Sequence, residues 1–142
     1  MNKRVTQVVI LAGGLGTRLK PFTNTAPKPM YPINNIPFID YLIRQIKSFG
    51  MEEALLLLGY LPKKIMDYLG DGSRYGLTIN YDITPVDYDT GMRIKHAAPQ
   101  IADKFLLLYC DNYCPINYSK LFADFCNNKA KIQITAYSNR DN

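Results

Sequence analysis

The stretch LAGGLGTRLKPFTNTAPKPMYPI, residues 11–33, decides the fold. It places Gly13, Gly14 and Gly16 directly after an apolar run that is typical of a buried β-strand. Glycines at such a point let the backbone turn sharply and present bare N–H groups to an anion, and the positive end of a following helix adds to the attraction. The stretch therefore predicts a strand followed by an anion-binding loop.

Two cations follow these glycines. Arg18 supplies a planar, permanently charged guanidinium that matches phosphate oxygens in a bidentate manner. Lys28 stands between Pro27 and Pro29, and these prolines predict an extended backbone that aims the ammonium before a ligand arrives. A triphosphate is the ligand that this combination favours.

Two other kinds of glycine loop match less well. A dinucleotide fingerprint needs a third glycine where this chain has Leu19, and Pro21 shortens the helix that should follow. A Walker loop needs a Gly-Lys-Ser/Thr ending, which the stretch lacks. A dinucleotide-dependent oxidoreductase would also need an acidic residue at the end of the second strand, where the sequence is LLLLGYLP.

The rest of the chain alternates apolar runs with amphipathic patterns. Strands are predicted at 5–12, 52–60, 77–83, 104–111 and 131–137, and helices at 37–50, 61–70, 90–99 and 119–128. Strands separated by helices imply right-handed crossovers, so the expected fold class is α/β: a three-layer sandwich with a doubly wound, mostly parallel, Rossmann-like sheet. Ligands bind at the carboxyl ends of such strands, where the glycine loop and Asp111 are expected to meet.

The composition limits the classes of ligand that the chain is expected to bind. The 142 residues fit one domain, and the net charge of +5, from 17 Lys and Arg against 12 Asp and Glu, suits a small anionic ligand. No dense basic tract with interleaved aromatics predicts nucleic-acid binding, and no apolar run approaches a membrane span. Three cysteines and one histidine, His96, support neither a disulfide framework nor a thiol or imidazole metal site. The N-terminus is more typical of a first strand than of a signal peptide, which favours the cytoplasm.

The opening stretch, together with PFIDYLIRQIKSFG, GYLPKKIMDYLGDGSRYGLTINY and TGMRIKHAAPQIADKFLLLYCDNY, resembles the sugar-1-phosphate nucleotidyltransferases over nearly the whole chain. These enzymes make nucleotide sugars from a nucleoside triphosphate and a sugar 1-phosphate. The resemblance implies a set of site residues. The base and ribose would be flanked by Leu11, Gly13 and Gly14, and the phosphates would be bound by Gly16, Thr17 and Arg18. Lys28 would hold the α-phosphate, Gly91 would approach the nucleotide, and Asp111 would bind Mg²⁺.

The implied reaction transfers a nucleoside monophosphate to a sugar 1-phosphate and releases pyrophosphate, with Arg18, Lys28 and Asp111 as catalytic residues and Mg²⁺ as cofactor. Two departures stand out: Cys110 replaces a glycine before the metal aspartate, and Met92-Arg93 replaces small residues, which would crowd the base or add a cation. Because family members continue through a second half, residues 1–142 are expected to be the N-terminal nucleotide-binding part, with the sugar-phosphate-binding part missing.

The alternative is a truncated or inactive nucleotide-binding module with a regulatory or assembly role. The resemblance leaves the base open among guanylyl, thymidylyl, uridylyl and cytidylyl transfer, with a lean toward guanylyl or thymidylyl. It also leaves open the sugar and the oligomeric state, a homo-oligomer included.

Overall fold

The computed structural model describes residues 4–128 and 130–136. The chain divides into two compact units, of which the larger is Val5–Cys114. None of the helices in the described ranges has both the length and the apolar character needed to span a membrane.

A four-stranded parallel sheet forms the centre of the larger unit. Its strands are β1 (Gln7–Ala12), β4 (Glu53–Leu58), β5 (Thr78–Ile83) and β6 (Phe105–Tyr109), in the order β5-β4-β1-β6. The chain moves from β1 outward to β4 and β5, then returns to place β6 on the other side of β1. The strand order therefore reverses between β1 and β6, which is where doubly wound sheets bind their ligands. A short antiparallel hairpin, β2 (Pro32–Ile33) and β3 (Ile36–Pro37), lies outside this sheet.

Three helices connect the strands: α1 (Phe38–Ser48), α2 (Pro62–Leu69) and α3 (Thr90–Ala97). In α1 the apolar residues recur every three or four positions, and Ile39, Leu42, Ile43 and Ile46 are all fully buried. The apolar pattern of the sequence thus forms the helical faces that the fold packs inward.

Both faces of the sheet are covered. Val9 and Leu11 of β1 form a core cluster with Leu55, Leu57 and Ala97, the last of which belongs to α3. Successive side chains of a strand point to opposite faces, and the alternate residues of β1, Val8 and Ile10, are also fully buried. The predicted three-layer, doubly wound α/β fold is confirmed.

The described part of the smaller unit contains α4 (Tyr118–Asn127), whose first turn is capped by Asn117 accepting from the Lys120 amide at 2.9 Å. The strand predicted at 131–137 is wrong over 131–136, where no strand forms, and residue 137 lies outside the described residues. Ile132 and Ile134 alternate as in a strand, but their side chains are 79% and 80% exposed, so burial does not stabilise that conformation.

Candidate functional site at the carboxyl rim of the sheet

The glycine loop leaves β1 and turns at Gly16. Of its glycines only Gly16 has a left-handed backbone, with φ of 64°, so the sharp turn depends on this residue. A single 3₁₀ turn, Thr17–Leu19, follows the loop and ends before Pro21, the residue that the sequence predicts to shorten the helix. Pro21 lacks the N–H that a longer helix would need. The positive helix end expected behind the phosphates is therefore reduced to one short turn.

Gly16 also packs tightly against the segment that carries Lys28. A Cβ atom at Gly16 would lie 2.9 Å from Lys28 Cβ and 3.1 Å from Thr23 Cγ2. The Thr23 hydroxyl donates to the Gly16 carbonyl at 3.1 Å, and the Tyr60 hydroxyl donates to the Thr23 carbonyl at 2.7 Å. These contacts hold the turn of the loop beside the lysine backbone.

The backbone at Lys28 differs from the expectation. Pro27 is extended, but Lys28–Met30 forms a 3₁₀ turn, with the Met30 amide donating to the Pro27 carbonyl at 2.9 Å. Pro29 occupies the second position of this turn, where a missing N–H costs nothing. The prediction of an extended backbone at Lys28 is thus wrong, although the prolines do fix its local conformation.

Lys28 and Asp111 meet at the centre of the rim. Lys28 Nζ lies 2.6 Å from Asp111 Oδ2, across 83 residues of sequence, and the two side chains are 30% and 36% exposed. Asp111 is positioned by β6, because the Cys110 amide donates to the Leu11 carbonyl at 3.1 Å and so continues the pairing with β1. Asp111 and the glycine loop therefore flank the point where the strand order reverses.

Two neighbouring hollows open on this rim and share Leu19 and Tyr31. The smaller, of about 160 Å³, is lined by Leu19, Lys28, Tyr31, Ile33, Phe38, Cys110 and Asp111. The larger, of about 470 Å³, is lined by Arg18, Leu19, Lys20, Pro21, Phe22, Tyr31 and Pro32. Arg18 thus faces the hollow next to the one that holds the lysine and the aspartate.

Gly91 lies in the exposed first turn of α3, which Asp89 caps by accepting from the Met92 amide at 2.8 Å. Met92 is 46% exposed, whereas Arg93 is only 4% exposed. Arg93 donates to the Gly13 carbonyl at 3.3 Å, and burial lowers the pKa of its guanidinium. The departure at Met92-Arg93 therefore adds a buried cation directly beside the glycine loop.

Asp111 is the predicted residue whose chemistry suits a metal ion. Within residues 4–128 and 130–136, no three His, Cys, Asp or Glu side chains gather as a metal site. Mg²⁺ usually keeps several waters and takes only one or two carboxylates together with substrate phosphates. A single, partly exposed carboxylate beside Lys28 and the glycine loop fits that coordination.

Cys110 lies between β6 and Asp111 and lines the smaller hollow. Burial and the adjacent carboxylate of Asp111 raise the pKa of its thiol to about 12. The thiolate, which is the reactive form, is therefore scarce at neutral pH.

The structure brings Gly16, Lys28 and Asp111 together, while Gly14, Thr17 and Arg18 are exposed along the same loop. Sequence reasoning missed the loop supports Thr23 and Tyr60. It noted Arg93 only as an unusual residue. The signal that could have identified Arg93 was its position two residues after Gly91, on the inner side of a helix where Ile94 and Ala97 pack against the core.

Comparison with known proteins identifies the family. The profile of the Nucleotidyl transferase family matches residues 7–142, and the chain belongs to this family. It is 36% identical, over 115 residues, to the D-glycero-alpha-D-manno-heptose 1-phosphate guanylyltransferase of Campylobacter jejuni, covering 81% of this chain and 52% of that protein. It is 33% identical, over 107 residues, to the choline-phosphate cytidylyltransferase of Streptococcus pneumoniae, covering 75% of this chain and 45% of that one.

Among solved structures, HddC from Yersinia pseudotuberculosis complexed with GMP-PN superposes with a TM-score of 0.76 at 34% identity. The match covers 87% of this chain and 55% of HddC. The chain thus spans about half the length of the relatives that it matches.

Proposed function

We propose that this chain is the nucleotide-binding part of an Mg²⁺-dependent nucleotidyltransferase that transfers a nucleoside monophosphate from a nucleoside triphosphate to a sugar 1-phosphate. The observation that carries the proposal is the 2.6 Å contact between Lys28 and Asp111 beside the glycine loop. Family membership supports the reaction class. The relatives are named as transferases, so they do not favour the alternative of a binding module without turnover.

The proposed chemistry begins with an exchange of partners. In the free chain the Lys28 ammonium and the Asp111 carboxylate neutralise each other. A bound nucleotide would give Lys28 an α-phosphate oxygen as its new partner, and Asp111 would then be free to hold Mg²⁺. When bound, Mg²⁺ neutralises charge on the phosphates.

The transfer itself needs little covalent help from the protein. An oxygen of the acceptor phosphate forms a bond to the α-phosphorus while the bond to the departing pyrophosphate breaks. Lys28 and Arg18 hold the charge on the phosphoryl oxygens, and fixed positions with electrostatic stabilisation supply most of the catalysis in such transfers. The raised pKa of the Cys110 thiol agrees with a route that uses no protein nucleophile.

We propose a guanine nucleotide as the preferred donor. The support is that the Campylobacter relative is named a guanylyltransferase and that HddC was solved with GMP-PN. The Streptococcus relative, which is less similar at 33% identity against 36%, is named for another base and another acceptor, and the acceptor of this chain is therefore not assigned from these names. The matched region covers 52% and 45% of these two relatives, and we assign sugar-phosphate recognition to their unmatched part.

Thermal unfolding with each of the four nucleoside triphosphates and Mg²⁺ tests the nucleotide site. A ligand at 100 times its Kd should stabilise the chain by about 2.7 kcal/mol, and we expect the largest effect from GTP. Asp111→Asn should lose the Mg²⁺-dependent part of this stabilisation. Asp103→Asn, an exposed aspartate before the start of β6, is the matched control and should behave like the parent. A folded parent chain that no triphosphate stabilises would contradict the proposal.

Pyrophosphate release tests whether these 142 residues bind the nucleotide without containing the acceptor site. With Mg²⁺, GTP and a panel of sugar 1-phosphates, the 142-residue chain should bind nucleotide but release little pyrophosphate, because an acceptor without a positioned site loses the advantage of orientation. Robust turnover would show that these residues contain the acceptor site and would contradict that part of the proposal.

A further inference from the structure

Arg93 is a buried cation whose hydrogen bonds all go to uncharged oxygens. Its guanidinium donates to the carbonyl of Leu58 at 3.0 Å, to that of Val86 at 3.0 Å and to that of Gly13 at 3.3 Å, and it also donates to the Thr84 hydroxyl. Removing a charge from water is costly unless its hydrogen-bonding groups are satisfied. The many acceptors around Arg93 satisfy that need.

These acceptors belong to three different strand ends. Gly13 follows β1, Leu58 ends β4, and the loop with Thr84 and Val86 follows β5. The three strands are neighbours in the sheet. One side chain from α3 therefore joins the carboxyl ends of three adjacent parallel strands at the rim that holds the proposed site.

Two glycines make room for the guanidinium. A Cβ atom at Gly13 would lie 2.4 Å from Arg93 Cζ, and one at Gly59 would lie 2.7 Å from an Arg93 terminal nitrogen. Neither glycine has a positive φ. At Gly13 the three nearest atoms all belong to Arg93, whereas at Gly59 the Gly13 carbonyl oxygen is as close as the guanidinium, at 2.7 Å. Arg93 and Gly13 are thus fitted to each other.

The bond to Gly13 also fixes the orientation of a peptide in the glycine loop. The Gly13 carbonyl accepts from Arg93 and from the Tyr60 amide, the latter at 3.2 Å. In a trans peptide the C=O and the next N–H point in opposite directions. With the Gly13 carbonyl directed at Arg93, the Gly14 N–H is directed away from it, and Gly14 is exposed.

We propose that Arg93 is a positioning residue that holds the Gly13–Gly14 peptide, and with it the Gly14 N–H, in the orientation that receives the nucleotide. The proposal rests on the proposed function for the identity of the ligand. A hydrogen-bond donor that is already oriented needs no reorganisation when an acceptor arrives. Loss of that orientation therefore weakens binding even when the chain stays folded.

The experiment compares Arg93→Met, which removes the donors but keeps a long side chain, with Lys95→Met on the exposed side of the same helix. Calorimetric titration with GTP and Mg²⁺ should give a Kd at least fivefold higher for Arg93→Met and within twofold of the parent for Lys95→Met. Arg93→Lys, which keeps a charged donor, should lie between Arg93→Met and the parent, and it serves as the test variant if Arg93→Met does not fold.

Thr84→Val separates positioning from general destabilisation. It removes one acceptor of the same guanidinium but leaves the bond to Gly13, so it should lower the urea midpoint and change the Kd by less than twofold. If Thr84→Val weakened GTP binding as much as Arg93→Met did, the positioning role would be overturned.

A ligand-free measurement keeps this test independent of the proposed function. In the absence of nucleotide, ¹⁵N relaxation should show the Gly14 amide to be rigid in the parent, with an order parameter near about 0.85, and mobile in Arg93→Met, falling toward about 0.6. An equally rigid Gly14 in folded Arg93→Met would overturn the positioning role whether or not GTP binds. A folded parent chain that bound none of the four nucleoside triphosphates would instead overturn the proposed function.

Discussion

Replacing Gly16 with alanine should damage both the fold and the candidate site. The backbone at Gly16 is left-handed, with φ of 64°, which costs an L-residue about 1 to 2 kcal/mol. The new methyl group would also stand 2.9 Å from Lys28 Cβ, and crowding of this kind costs about 1 to 3 kcal/mol. The lower entropy of unfolded alanine offsets about 0.4 to 1 kcal/mol. The expected net loss is therefore roughly 1 to 4.5 kcal/mol.

Gly14→Ala is the matched control in the same loop. Gly14 does not have a positive φ, and a Cβ atom there would meet nothing within 4 Å. Its stability should stay within about 1 kcal/mol of the parent. Urea unfolding followed by circular dichroism measures both variants, and GTP titration should show weaker binding in Gly16→Ala because Lys28 must move. If both variants unfolded at the same urea concentration, the packing of Gly16 against Lys28 would be refuted.

Three further outcomes are expected. Arg18→Ala should raise the Kd for GTP with Mg²⁺ about tenfold or more, because a hydrogen bond to a charged group contributes about 1.5 to 3 kcal/mol. Arg18→Lys should recover part of the lost affinity. An unchanged Kd in Arg18→Ala would show that Arg18 is not part of the site. The thiol pKa of Cys110 is raised to about 12, so Cys110 should react with iodoacetamide at pH 8 at least about 100 times more slowly in the folded chain than in urea. Peptide mass spectrometry measures both rates, and equal rates would show that folding does not raise the pKa of this thiol. Burial acts to raise the pKa of Asp40, but hydrogen bonds from Arg44 and Tyr75 lower it below 3.8. Asp40→Asn should therefore lower the free energy of unfolding by about 1 to 3 kcal/mol at pH 7, and this difference from the parent should narrow as the pH falls below 3.8. A difference of the same size at pH 3 would show that Asp40 is not stabilised as the anion.

The fold was predictable because periodic patterns determine its main elements. The four apolar runs that became β1, β4, β5 and β6 are separated by helices, and that alternation requires a parallel sheet. The strand predicted at 131–137 failed over 131–136, because a two-residue alternation says nothing about whether a neighbouring strand or a core is available.

The site was predictable where a local motif carries it. The sequence predicts only that the carboxyl ends of β1 and β6 lie at the same edge of the sheet. That prediction was enough to place Asp111 near the glycine loop. The direct contact between Lys28 and Asp111, 83 residues apart, depends on tertiary packing that local sequence does not encode. The role of Arg93 was hidden for the same reason, since its acceptors come from three separate strand ends.

A crystal structure of the chain with GTP and Mg²⁺ tests the central claim most directly. Lys28 Nζ should leave Asp111 Oδ2, its partner at 2.6 Å in the free chain, and contact the α-phosphate, while Asp111 coordinates the metal. The triphosphate should lie against the loop from Gly14 to Arg18. A nucleotide bound elsewhere, with the Lys28–Asp111 ion pair intact, would contradict the account.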